Sequence, residues 1–273
     1  MGVQHLWLAI IAVRAQIHAH SHAHTYIHTS CILAHTCAGE PENEGYLRIP
    51  SELLRKMVFE AHRSGWQCWV HAIGDKAVEE VLDALAAAQA ECPRDDARHR
   101  IEHCGVLRPD LIDRIVSQDV LVVTQPRFIS EIGNGIKKAL GPDRAKLAYP
   151  LRSLLRRGVH LAGSSDRPVV RGAPLLGIHD SVNQKTSSGE DYAPREALTA
   201  DEALRLFTTG AAFAEFAEKR KGVLSTGMLC DLVVLGEDPL RADASRLGSI
   251  PVLATVIDGR VVYNSLPPLA GKL

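Results

Sequence analysis

A chain of 273 residues, 46% of them apolar, can bury an ordinary core as one large domain or as a domain with a small appendage. Lys and Arg total 31 against 32 Asp and Glu, a formal net charge of -1, so neither a basic nucleic-acid surface nor an acidic disordered block is indicated. Aromatic residues at 5% provide no base-stacking platform either.

Taken in chain order, residues 6–13 form an apolar run too short to cross a bilayer, and no Lys or Arg precedes it as a signal peptide would require. No membrane association is expected, and a cytoplasmic location is. The six cysteines form no CxxC pair and no dense framework, which agrees with a reduced compartment. Seven of the 13 histidines fall between His5 and His35, with His18, His20, His22 and His24 alternating. Such a tract can chelate metal loosely. With no fold signal following it, residues 1–44 read as a His-rich leader, disordered or misjoined.

From about Gly45 the pattern becomes alternating β and α. A helix is predicted over 52–63, a strand over 67–72, and a helix over 76–91 with Asp75 as its N-cap. A strand over 100–104, a helix over 109–117 and the β-branched strand 120–124 follow, the last continuous enough to be covered on both faces. A helix over 149–157, a strand over 160–163 and a long helix over 201–216 capped by Thr199 complete residues 45–218. This alternation is the signature of a parallel sheet or barrel. Residues 219–273 change character. A short strand is predicted over 221–224 and another over 229–235, with a hairpin over 252–263 turning at Asp258-Gly259.

Three residues stand where an apolar strand gives way to a turn or helix: His71, His103 and Asp166. A β/α barrel gathers strand C-termini around one axis. Two imidazoles and a carboxylate suit a catalytic zinc or similar divalent cation, which points to metal-assisted hydrolysis. Asp166 follows a Gly-Ser-Ser turn and would carry the proton. Gln125, at the end of the 120–124 strand, could orient a substrate with its amide. His99, deeper in its strand, reads as structural, as does His179, and Cys68, Cys104 and Cys230 read as small core residues.

These segments resemble the amidohydrolase superfamily, in its YtcJ-like (amidohydrolase 3) branch. The runs that carry the resemblance are Val70-His71-Ala72-Ile73-Gly74-Asp75, Arg98-His99-Arg100-Ile101-Glu102-His103, Thr124-Gln125-Pro126 and Gly163-Ser164-Ser165-Asp166-Arg167-Pro168-Val169. Pro174-Leu175-Leu176-Gly177-Ile178-His179, Leu198-Thr199-Ala200-Asp201-Glu202-Ala203-Leu204, Lys221-Gly222-Val223-Leu224 and Asp231-Leu232-Val233-Val234-Leu235 follow in the family's order. The resemblance implies a distorted TIM barrel flanked by a β-sandwich made from both chain ends. It implies hydrolysis of carbon–nitrogen, non-peptide bonds in small amides or formamides. It also implies that His71 and His103 are metal ligands of the fifth and sixth strands, and that Asp166 of the last strand both binds metal and shuttles a proton.

The same resemblance implies a first strand ending in His-x-His and a bridging ligand on the fourth strand, which would lie upstream of Gly45. The expectation is therefore an α/β chain holding strands five to eight of a (β/α)8 barrel and part of a small C-terminal β-sandwich. Half a barrel exposes two sheet edges. Each unpaired buried polar group costs about 1–3 kcal/mol, against a net stability of about 5–15 kcal/mol for a whole domain. Reduced or absent activity, and oligomers formed through the open edges, are the consequences. The alternatives are a non-catalytic remnant paired with another chain, or a metal-binding protein acting through its histidine tract.

Overall fold

The computed structural model describes residues 10–11, 24–28, 33–40 and 42–266. Five parallel strands form one sheet: β2 (His24–His28), β3 (Gln67–Ala72), β4 (Arg100–His103), β5 (Leu121–Thr124) and β6 (Leu161–Gly163). Their spatial order is their chain order, β2-β3-β4-β5-β6. Each crossover carries helix: α1 (Ser51–Arg63), α2 (Asp75–Glu91), α3 (Pro109–Ser117), then α4 (Arg127–Arg144) with the short α5 (Leu151–Arg156). Sequential order with crossovers of one hand places these helices on one face of the sheet.

Strand alternation divides the side chains accordingly. Cys68, Val70, Ala72, Ile101, Val122 and Leu161 join one core with Leu54 and Val58 of α1, Val78, Val81 and Leu82 of α2, and Leu111 and Ile115 of α3. The opposite face carries a smaller apolar cluster of Leu121, Val123, Ala162 and Ala214. Beside it stand Trp69, His71, Arg100 and Glu102, all buried.

Beyond β6 lie α6 (Pro174–Asn183), α7 (Ala200–Arg205) and α8 (Ala211–Ala214), with a π-helical stretch at Leu206–Gly210 between the last two. The predicted 201–216 helix is therefore interrupted. A Cβ on Gly210 would fall 2.3 Å from the carbonyl oxygen of Leu161, so the π stretch presses its backbone against β6 at a distance only glycine allows. Thr199 caps α7 as expected, accepting from the Glu202 amide while the Glu202 carboxylate accepts from the Thr199 amide.

The C-terminal strands β7 (Leu232–Leu235), β8 (Val252–Ile257) and β9 (Arg260–Asn264) form an antiparallel sheet, which β1 (Ile10–Ile11) joins by pairing with β7. Asp258 and Gly259 both take positive φ, 51° and 73°, as a two-residue hairpin turn requires. Residues 221–224 are irregular, not a strand.

The largest departure from expectation lies in the residues assigned to the leader. His24–His28 is a strand, paired with β3 in the register His24↔Gln67 to His28↔His71. The segment that follows is fastened at several points. The amide of Ala34 donates to Asp75 Oδ1 (2.8 Å), and Arg144 donates to the carbonyls of His35 (3.0 Å) and Thr36 (2.5 Å). Asp75 is the first residue of α2, not its cap, which is Gly74. It spends its carboxylate on Ala34 and on Arg108, 3.3 Å away. His18, His20 and His22 lie outside the described residues. Among the described residues, no helix is long and apolar enough to cross a membrane.

Candidate metal centre

His71 is the penultimate residue of β3 and His103 the last of β4, so both stand at the C-terminal ends of neighbouring strands. Their Cα partners across the ladder are Glu102 and Ala72 respectively, while His28 of β2 stands in register beside His71. By alternation His103 shares the helix-facing parity of Ile101, whereas His71 shares that of Trp69. The rings nonetheless meet edge to face, with centroids 4.3 Å apart. The cause is local: His103 (φ 76°) and Cys104 (φ 50°) both adopt the left-handed conformation, which ends the strand and breaks its alternation. Such backbone in non-glycine residues costs energy and clusters at functional sites.

Asp166, three residues beyond β6, has the same left-handed backbone (φ 53°). Its Oδ2 lies 3.9 Å from His103 Nε2, with the Asp166 side chain 39% exposed and His103 almost wholly buried. The three residues named from the sequence thus occupy one end of the sheet, His103 touching both others. With metal–ligand bonds of about 2.1 Å, the 3.9 Å separation subtends roughly 135° at a shared ion, wider than tetrahedral. The donors fit a divalent cation in kind, while the His103–Asp166 separation is wider than a tetrahedral ion would hold. Among the described residues, however, no three His, Cys, Asp or Glu side chains close into a ligand set as they stand.

Gln125 immediately follows β5 and is buried. Its Nε2 donates to Ser164 Oγ (3.0 Å) and to the Val123 carbonyl (3.1 Å), which fixes the amide's orientation because a carbonyl cannot donate. Its Oε1 is buried with no hydrogen-bond partner among the described residues. An acceptor is therefore held at the same end of the sheet as the histidines.

Sequence reasoning missed what lies beneath. Glu102, beside His71 in register, pairs with Arg100 at 2.6 Å, and the Arg100 guanidinium lies 3.6 Å over the Trp69 ring. Burial pushes the Glu102 carboxyl up, and the guanidinium opposes that shift. The signal was present in the Arg-x-Glu spacing, which puts both residues on one face of a strand. His99 is structural, as expected. Its Nε2 meets His62 Nδ1 at 2.7 Å, and its Nδ1 accepts from the Cys68 amide at 2.9 Å. His179 contacts buried Asp180 (2.8 Å), which also binds Arg127 and Ser130, and so ties α6 to α4. Cys68 and Cys104 are buried free thiols, whereas Cys230, expected in the core, is an exposed one.

The family model for amidohydrolases matches residues 19–263, beginning well before Gly45 and taking in β2. Bacillus subtilis (strain 168) YtcJ is 33% identical over 228 residues, 82% of this chain and 42% of that protein. The N-substituted formamide deformylase of Arthrobacter pascens is 29% identical, covering 77% of this chain and 39% of its own. Among solved structures, an uncharacterized metal-dependent hydrolase from Pyrococcus horikoshii OT3 superposes with a TM-score of 0.72 at 26% identity, over 81% of this chain and 46% of that one. A second from Pyrococcus furiosus gives 0.69 at 30%, over 79% and 44%. The chain spans less than half the length of these relatives. Both the matched span, which reaches from the histidine tract to β9, and the architecture lead to one assignment: the chain belongs to the amidohydrolase family.

Proposed function

We propose that this chain carries part of a divalent-cation-dependent hydrolase site for carbon–nitrogen, non-peptide bonds in small amides or formamides. In this reading its parallel sheet is a segment of a (β/α)8 barrel. The observation that carries it is the meeting of His71, His103 and Asp166 at one end of the sheet, with ring centroids 4.3 Å apart and Asp166 Oδ2 3.9 Å from His103 Nε2. The name of the Arthrobacter pascens relative supports the formamide end of that substrate range.

His71, His103 and Asp166 would hold the cation, with zinc the first candidate for a site of two imidazoles and a carboxylate. When bound, the cation supplies a water of lowered pKa and polarises the attacked carbonyl. Asp166, its side chain 39% exposed, would take up the proton of the attacking water and pass it to the departing amine nitrogen. Gln125 Oε1 accepts a hydrogen bond from the substrate N–H and so sets which face of the amide is presented. The Arg100–Glu102 pair on Trp69 forms the dry floor beneath.

The test is metal analysis and turnover on the 273-residue chain. Zinc binding is expected to depend on His71, His103 and Asp166, and to survive deletion of the histidines at 18, 20 and 22. Turnover of an N-acyl or formamide substrate is expected to be slow, because among the described residues no three donors close into a ligand set as they stand. Whatever turnover exists should fall about 10²–10⁴-fold in Asp166→Asn, the usual worth of a positioned acid–base group. Robust turnover indifferent to Asp166 would refute the assignment. A second reading, a non-catalytic chain that pairs its sheet edge with another polypeptide, is favoured by the absence of a closed ligand set among the described residues. Tight zinc binding lost on His103→Asn decides against it.

A further inference from the structure

His103 meets both other members of the candidate centre, so its ring direction bears on whether they can share an ion. We propose that Phe128 is a positioning residue for His103, held in turn by Tyr149, and that this aromatic column fixes the direction in which the imidazole meets its cation. The proposal rests on the ligand reading given above.

The column is continuous. Phe128 lies nearly parallel to the His103 ring, with centroids 5.8 Å apart and an interplanar angle of 26°. Tyr149 stands edge-on to Phe128 at 6.1 Å and 76°. These are the offset-stacked and T-shaped arrangements that aromatic quadrupoles favour. Both Phe128 and Tyr149 are buried, so neither ring has room to drift.

Each end is anchored by backbone. Phe128 sits in the first turn of α4, directly after Gln125-Pro126, and its amide donates to the Gln125 carbonyl (3.0 Å). Tyr149 takes positive φ (52°) and donates its amide to Gly105 (2.8 Å), while Leu107 donates to Leu147 (2.9 Å). The loop after His103 is thus stitched to the segment carrying Tyr149. A Cβ at Gly105 would fall 2.9 Å from Ile73 Cγ2 and 3.4 Å from Tyr149 Oη, so glycine permits that stitching. The strand alternation that would have aimed His103 elsewhere is broken at His103 itself, and a ring no longer aimed by its strand needs a surface to lie on. Hydrogen-bonding groups that orient a metal-binding histidine typically cost about 10–100-fold in metal affinity when removed, and an aromatic face that orients the ring acts in the same direction.

The experiment uses cobalt(II) alone as the probe, with the full chain, reading affinity and the visible absorption of the bound ion. Phe128→Leu keeps an apolar side chain but removes the flat face; Phe128→Tyr keeps the face. Thermal melts accompany both, and Tyr149→Leu, one ring further out, is the second variant should Phe128→Leu not fold. Phe128→Leu is expected to bind cobalt about 10–100-fold more weakly with an altered spectrum, Tyr149→Leu to shift in the same direction by less, and Phe128→Tyr to match the wild type. A folded Phe128→Leu with wild-type affinity and spectrum overturns the positioning role while leaving the ligand set standing. Wild-type chain that binds cobalt no better than His103→Asn overturns the ligand reading and the proposal with it.

Discussion

Arg100 and Glu102 form a buried ion pair in which Glu102 stands in register beside His71. Both are buried, 2.6 Å apart, and the guanidinium rests on Trp69. Removing one partner from such a pair leaves an uncompensated charge in low dielectric and costs about 3–5 kcal/mol, whereas replacing both by apolar groups is often nearly neutral. Arg100→Met is therefore expected to lower the unfolding free energy by that amount in urea titrations. Arg100→Met combined with Glu102→Leu should recover most of it. If the single and double variants are equally unstable, the stacking on Trp69, not the ion pair, carries the stability. At this scale the sequence was informative about chemistry and silent about direction. It offered His71, His103 and Asp166 as donors, but alternation alone assigns His103 to the helix side. The left-handed backbone at His103, Cys104 and Asp166 that overrides it has no glycine to announce it.

Elements are joined by a hydrogen-bonded histidine relay whose tautomers can be deduced. The Cys68 amide donates to His99 Nδ1, so neutral His99 carries its proton on Nε2 and donates to His62 Nδ1; His62 then donates from Nε2 to the Cys92 carbonyl (2.6 Å). The relay links α1, β3, the approach to β4 and the end of α2. Burial first, then His62 and Arg94, pulls the His99 pKa down to about 3. The charged neighbour that faces the relay is Arg94, whose guanidinium binds the His62 carbonyl. A histidine with a depressed folded pKa binds protons better when unfolded. Its contribution is complete above an unfolded value of about 6.5 and is lost as pH falls below that, down to about 3. Between about pH 7.5 and 5 the chain should lose about 2 kcal/mol from this group. Urea denaturation at the two pH values measures it, and His99→Gln should flatten the slope even though it lowers stability at neutral pH. Elements with strong periodicity, such as α1, α2, α3 and β3 to β6, could be read in advance. By contrast α4 could not, because Gly133, Gly135, Gly141 and Pro142 mask its helical pattern, and Gly141 (φ 75°) in fact kinks it. β2 was hidden too: His-Thr-Tyr-Ile-His has no run of apolar residues, and it pairs with β3 on one side as an edge strand.

For the whole molecule, the decisive feature is that the five-stranded order β2-β3-β4-β5-β6 is open at both ends among the described residues. The two ends differ. At β6 the π stretch lies against the Leu161 carbonyl, close enough that Gly210 is required, so this edge is already covered by backbone. β2 has no such cover among the described residues, and pairs with β3 alone in the sheet. An edge strand with free amides and carbonyls is a template for another strand, and the penalty for leaving such groups unmet, about 1–3 kcal/mol each where they are buried, drives pairing once chains are concentrated. The isolated 273-residue chain is therefore expected to self-associate through β2, and not through β6. Sedimentation velocity from low to high micromolar concentration should show mass rising with concentration. Hydrogen exchange should show the amides of residues 24–28 gaining protection over the same range, while those of residues 161–163 stay constant. A single monomeric species throughout, or protection gained at residues 161–163 instead, would contradict this. Either result would mean that the β2 edge is met in some other way, and that the sheet does not recruit a partner at that end.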